Sequence, residues 1–438
     1  MMIIMNFRSV PMAIFVAAGA FAAGAFLFSK DEKIVILPNT GGALENIAVL
    51  GNKQSSSTLD TASSSNIAKS SNSDLPFQSK LENPPSVIKA IYITGWTAGS
   101  PARMKSLIDL IKSTELNAVI IDIKDYSGYV SYKMNIPEVI SSGATNEIRI
   151  TRPNTLIKEL HDNGIYVIGR VTNFQDPILA KAHPEWALKN KKTGGIWTDN
   201  HNLAWMDPAA RPAWDYFASI AKDGFDRGFD EINFEYIRFA SDGSIGSISY
   251  PYWDEKTPRA TIITDYFKFL RQTFPNNRIS ADLFGLATVN NDDLGIGQII
   301  QGAYEYFDYV CPMVYPSHYA NGFLGYKNPA DYPYEIIKYS MDHGLAKLMA
   351  MGNANSTVSS TGQAQYAMGH VPDTKLRPWL QDFDLGATYT SAMIREEKQA
   401  VYDSLNTAAT SKYYGGWLLW NPSNNYLTSA SRGALDGK

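Results

Sequence analysis

A (β/α)8 barrel is the fold class this sequence predicts, and three observations predict it. Eight short apolar runs rich in β-branched and aromatic residues recur between residues 88 and 420. Amphipathic stretches of helical length separate most of them. Polar or acidic residues close nearly every run, as the mouth of such a barrel requires. An open doubly wound sheet is the rival fold. It is disfavoured because no Gly-x-Gly-x-x-Gly turn follows any run.

The elements follow in chain order. Residues 11–28 carry no charge, with Arg8 before them and Lys30, Asp31, Glu32 and Lys33 after. Residues 1–30 therefore read as a signal peptide or a signal anchor, an apolar helix that tethers the chain to a membrane. The many Ala and Gly weaken it as an anchor, and cleavage around Ala20 to Ala25 is the competing outcome. Arg8 on the near side places everything that follows outside the cytoplasm. Residues 31–85 read as a stalk, because the Ser, Asn, Thr and Lys of 52–85 cannot bury enough surface to fold. The barrel is assigned to 86–432. Its predicted strands are 88–94, 118–124, 165–171, 230–237, 278–284, 308–314, 375–381 and 414–420. Helices are expected over 102–113, 214–227 and 334–343, among others, while 345–354 fits either a helix end or a ninth strand.

Composition narrows the function. Hydrophobic residues at 45% and charged residues at 19% belong to a chain with a large core. A net charge of −4 without a basic block argues against a nucleic-acid partner. The single cysteine, Cys311, forms no intrachain disulfide and reads as a buried small hydrophobe. None of the six histidines forms His-x-His or His-Glu-x-x-His, so no metal and no cofactor is expected. Aromatics at 12% supply flat faces for sugar rings as well as core.

The strand ends carry the chemistry. They hold Trp96; Asp122 and Asp125; Arg170; Asn233, Glu235 and Arg238; Asp282; Tyr315; Trp379 and Asp382; and Trp420. Alternation along the fourth run puts Glu231, Asn233 and Glu235 on one face, and Phe234 and Tyr236 on the other. Glu235 is then the last inward acid, either reactive or ion-paired to Arg170 or Arg238. Asp282 is either a site residue or a buried ion-pair partner. Asp122 and Asp125 bracket Lys124, as a Lys–Asp network or as substrate ligands. Asp382 is either an acid/base or a loop cap. Converging acids separate in pKa, and glycosidic cleavage needs one protonated and one ionised carboxyl.

Six segments together resemble a family: YITGWTAG, IIDIKDYSG, FDEINFEYIRFASDG, SADLFG, RPWLQDF and GGWLLWNPSN. They are similar to the glycoside hydrolase domain of bacterial exported proteins, distant relatives of the α-amylase-type barrels, over about residues 86–430. The resemblance implies a glycosidase in which Glu235, Asp282 and Asp382 match the acids of strands four, five and seven. The chain departs from the pattern at Glu235, where the family usually has Asp, and at Ala240, where it has Pro.

The expected function is a glycosidase acting on a bacterial envelope or extracellular polysaccharide. Glu235 would serve as nucleophile or base and Asp282 as general acid. Asp122, Asp125, Arg238 and Asp382 would support them or bind substrate, and Trp96, Tyr315, Trp379 and Trp420 would be sugar platforms. The alternative is a catalytically inactive barrel that binds glycan or protein at the envelope. A separation of roughly 5–10 Å between Glu235 and Asp282 favours the enzyme. An ion-paired, closed cup favours the alternative; Arg238 and Lys124 are the candidate cations between the two acids.

Overall fold

The computed structural model describes residues 73–352 and 370–436. The apolar run 11–28 and the stalk before Ser73 lie outside the described residues. Among the described residues, no helix is long and apolar enough to cross a membrane.

Eight parallel strands close into a barrel. They are β1 (Ile88–Ile93), β2 (Ala118–Lys124), β3 (Tyr166–Thr172), β4 (Glu231–Glu235), β5 (Arg278–Phe284), β6 (Tyr309–Met313), β7 and β8 (Gly416–Trp420). Each pairs with the next, and β8 returns to β1 through Ile88 and Gly416. Gly416 is required at that seam: its φ is +102°, and a Cβ there would lie 1.8 Å from the Ile88 carbonyl oxygen. β7 is split into Lys375–Leu376 and Trp379–Gln381, with Pro378 in the gap. A proline has no N–H for the ladder, so the strand breaks there.

The helices alternate with the strands: α1 (Pro101–Ser113), α2 (Pro153–Asp162), α3 (Arg211–Arg227), α4 (Arg259–Thr273), α5 (Ile300–Tyr306), α6 (Pro333–Ala350), α7 (Ser391–Leu405) and α8 (Ser429–Leu435). Proline at the first position preorganises α1, α2 and α6. The stretch from Leu345 to Ala350 is the end of α6, not a ninth strand.

The core has two layers because strand side chains alternate. Val119, Ile121, Val167, Ile232, Phe234 and Val310 face the helices. Ala90, Ile120, Ile168, Cys311 and Leu418 fill the barrel. β2 breaks the alternation at its end, where the register shifts between Asp122 and Lys124. The bulge turns Lys124 out of the barrel, where it pairs with Asp176 at 2.9 Å and lies over the Phe217 ring. Lys124 is therefore not a cation of the cup, contrary to the expectation.

At the N-terminal end of the barrel, Glu231 and Arg377 form an ion pair in which both side chains are 0% exposed. The Tyr166 hydroxyl also donates to Glu231, and the Arg377 guanidinium lies 4.1 Å from the Tyr309 ring centre. Residues 74–85, assigned to the stalk from composition, lie against the barrel as a strap. Asp74 accepts from the Asn154 and Thr155 backbone N–H groups at the start of α2. Gln78 donates its N–H to the Arg227 carbonyl, and Leu81 donates its own to Asp230.

Candidate functional site

Parallel register builds the site in levels. Asp122 of β2 stands beside Arg170 of β3, and Arg170 beside Asn233 of β4. Asn233 is in register with Ser280, which brings Glu235 level with Asp282 one step nearer the mouth. All of these side chains are buried.

Arg170 is the hub. Its Nη1 donates to Asp122 at 3.0 Å, its Nη2 lies 3.7 Å from Glu235, and its Nε lies 3.5 Å from Asp282. The three acids hold the guanidinium proton well above its usual pKa, against burial, which acts the other way. Asp122 also accepts from the Tyr92 hydroxyl at 2.5 Å. Burial raises the Asp122 pKa to about 6 even though Arg170 opposes it. Tyr92 in turn stacks on Trp420 with ring centres 3.9 Å apart, and Arg170 lies 5.3 Å from the Trp420 ring centre.

Glu235 and Asp282 stand level on adjacent strands, and both face the Arg170 guanidinium. Asp282 Oδ1 accepts from the Trp379 indole at 2.7 Å and from the Asn233 amide at 2.8 Å. Glu235 has no such support, and its Oε2 lacks an N–H or O–H donor from the protein. Burial, and then Asp282, push the Glu235 pKa well up, with Arg170 opposing. A pKa raised in this way favours the protonated form of Glu235. The next residue, Tyr236, has φ +55°, a left-handed conformation that is strained for a bulky side chain. It turns the chain out of β4 immediately after the acid.

The other expected residues are placed as follows. Trp379 is 1% exposed and serves as the donor to Asp282 rather than as an open face. Trp96 is 59% exposed, with the Arg149 guanidinium 5.3 Å from its ring centre. Arg149 binds Asp125 and Glu147, so Asp125 belongs to this rim group and not to the Arg170 cluster. Tyr315 is buried against His318 and Phe383. Asp382 accepts from Asn421 at 3.1 Å and from Ser431 at 2.7 Å, and burial raises its pKa to about 6. Arg238 is buried among aromatic rings. Among the described residues, no group of three or more His, Cys, Asp or Glu is arranged to hold a metal ion.

The hub role of Arg170 and the Tyr92 contact were not read from the sequence. The signal for Arg170 was present: Tyr166, Ile168 and Arg170 share a face by alternation, in register with Asp122 and Asn233. The Tyr92–Asp122 bond depends on the barrel closing and leaves no local trace.

Comparison with known proteins adds the family. A crystal structure of a hypothetical protein from Ruminiclostridium thermocellum is 40% identical over 47% of this chain and 98% of its own, with a TM-score of 0.41. The glycoside hydrolase domain of PgaB (BpsB) from Bordetella bronchiseptica aligns with 80% of this chain and 99% of its own, at 12% identity and a TM-score of 0.52. The second likeness is one of fold. No curated protein sequence matches the chain. A family model described as "Putative glycosyl hydrolase domain" matches residues 90–426, more than half of the sequence. With that match over a closed parallel barrel whose mouth gathers three acids around one arginine, the chain belongs to this glycosyl hydrolase-type family.

Proposed function

We propose that the barrel is a glycoside hydrolase whose reacting carboxyls are Glu235 and Asp282. The observation that carries this reading is the placement of the two acids: Glu235 and Asp282 stand level on adjacent strands at the mouth, both buried and both facing Arg170, and burial pushes the Glu235 pKa well up. Glu235 gives its proton to the leaving oxygen. Asp282, ionised, acts at the anomeric carbon as nucleophile or base. One water is consumed, and the proton returns to Glu235. Both carboxyls are drawn to one guanidinium, and a glycosidic bond between them needs roughly 5–10 Å. The pair parts when substrate enters. Glu235 is the member free to move, because Asp282 is fixed by Trp379 and Asn233.

The test is release of reducing ends from a panel of envelope and extracellular glycans. Glu235→Gln and Asp282→Asn should each lower turnover by about 10³-fold or more, as loss of a reacting carboxyl does. Glu235→Asp shortens the arm by one methylene and opens the pair, so it should retain more activity than Glu235→Gln. Near-wild-type turnover in both amide variants ends this assignment.

A second reading, an inactive glycan- or protein-binding barrel, draws on one observation: Arg170 already pairs with all three acids. It predicts glycan binding without reducing-end release in the wild-type chain.

The setting belongs to the proposal too. The uncharged run 11–28 behind Arg8 supports an extracytoplasmic barrel tethered to the membrane or secreted, with an envelope or extracellular polysaccharide as substrate. Protease treatment of intact spheroplasts should remove the barrel from a tethered chain. A protected barrel overturns the placement.

A further inference from the structure

The mouth holds a second buried arginine whose surroundings differ from those of the first. Arg238 is 3% exposed. Among the described residues, no carboxylate lies within ion-pair distance of it. Its guanidinium is packed instead by the rings of Trp205 at 4.8 Å, Tyr236 at 5.1 Å and Phe284 at 4.8 Å. Nη1 donates to the Phe239 carbonyl and the Ser241 hydroxyl, both at 3.0 Å.

The nearest acids act only through space. Glu235, Asp242 and Asp199 favour the charged guanidinium, but burial outweighs them and holds its pKa below the usual value. Each of these acids is engaged elsewhere. Glu235 lies 3.7 Å from Arg170. Asp199 accepts from the Gln175 amide, the Trp205 indole and two backbone N–H groups. Asp242 accepts the Asn200 N–H. Aromatic faces attract a cation but carry no counter-charge, and a buried cation without one is costly. The position matters as well. The left-handed turn at Tyr236 carries Arg238 against Phe284, the last residue of β5, and the Phe284 ring packs on the inner cluster that includes Tyr315 and Trp379.

We infer that Arg238 reads a negative charge on the substrate, and that the mouth takes an acidic glycan whose sugar carboxylate pairs with this guanidinium. The inference rests on the reading of the mouth as a saccharide site. A planar carboxylate suits the fork of a guanidinium. It would supply the counter-charge that the fold withholds, and aromatic faces beside it suit the apolar face of the same sugar ring.

The experiment titrates the full chain with oligomers of glucuronate, galacturonate and mannuronate, each beside its methyl ester, and reads heat or tryptophan fluorescence. At least one acid should bind about tenfold or more tightly than its ester, as a charge-assisted bidentate contact allows, and the preference should shrink with added salt. In Arg238→Gln, acid and ester should converge. In Arg238→Lys, which keeps the charge and loses the fork, part of the preference should remain; that variant carries the test if Arg238→Gln fails to fold. Equal binding of every acid and ester overturns the inference, as does no binding at all or a preference that survives in Arg238→Gln. Reducing-end release on the same panel separates the two readings. Acid preference without cleavage sustains Arg238 and removes the hydrolase. Cleavage of neutral glycans without acid preference does the opposite.

Discussion

Strand β4 begins and ends with the same residue type on the same face of the barrel, yet Glu231 and Glu235 live in different electrostatic worlds. Glu231 meets one guanidinium, Arg377, through both of its oxygens, and a tyrosine hydroxyl besides. Glu235 shares one guanidinium with Asp122 and Asp282, and its Oε2 has no hydrogen-bond donor. At the closed end the charges match one to one. At the mouth three acids share the Arg170 guanidinium, and burial raises the pKa of Asp122 and of Glu235. The closed end is built to stay as it is; the mouth is built to change protonation state.

The largest effect should come from the closed end. Glu231→Gln leaves Arg377 buried without a counter-charge, which typically costs about 3–5 kcal/mol. Chemical denaturation of the variant measures it, and a loss below about 1 kcal/mol would show that water or rearrangement had repaid the charge. An intermediate effect should appear at the mouth as a pH dependence. The folded-state pKa of Asp382 is about 6, above the ordinary value. A raised carboxyl contributes stability that is fully present below about pH 4 and is lost as pH rises through about 6. Asp382→Asn stays neutral throughout, so it should remove about 2–3 kcal/mol of the decline across that window and leave the share that Asp122 contributes. A wild-type stability curve without that decline breaks the argument. The smallest effect should be Glu235→Gln. Burial pushes the Glu235 pKa well up, so the amide replaces a carboxyl whose neutral form is favoured and which has the same shape. Stability should move by less than about 1 kcal/mol, the range of a replaced neutral hydrogen bond. A cost as large as that of Glu231→Gln would mean that Glu235 is ionised and paired, and that the two ends are alike after all.

Much of this architecture can be read from the chain because it depends on local pattern. Each strand is an apolar run ended by a polar residue, and alternation along β4 places Glu231, Asn233 and Glu235 inward, as found. The same rule fails at β2. A bulge after Asp122 reverses Lys124, and no residue type near it announces the extra turn. Arg170 obeys alternation, but its importance comes from acids on β2, β4 and β5, which only barrel closure unites. Asp125 likewise finds Arg149 across a long loop, too far along the chain for spacing to reveal. The strap was hidden for a different reason. Its composition next to the Ser- and Asn-rich run resembles a linker, and much of its docking is through backbone N–H groups and one carboxylate, with Leu81 packed on the inner cluster.

That strap also has a mechanical meaning. Its attachments follow one another along the chain: Asp74 to the start of α2, Gln78 to Arg227, then Leu81 to Asp230. A pull from the N-terminal side loads them in sequence and not together, so they yield one at a time at low force. Peeling residues 74–81 would pay out about 25 Å of extended chain before tension reached β1. The strap is thus a fuse placed ahead of the barrel, absorbing a tug while the strands that carry Glu235 and Asp282 keep their register.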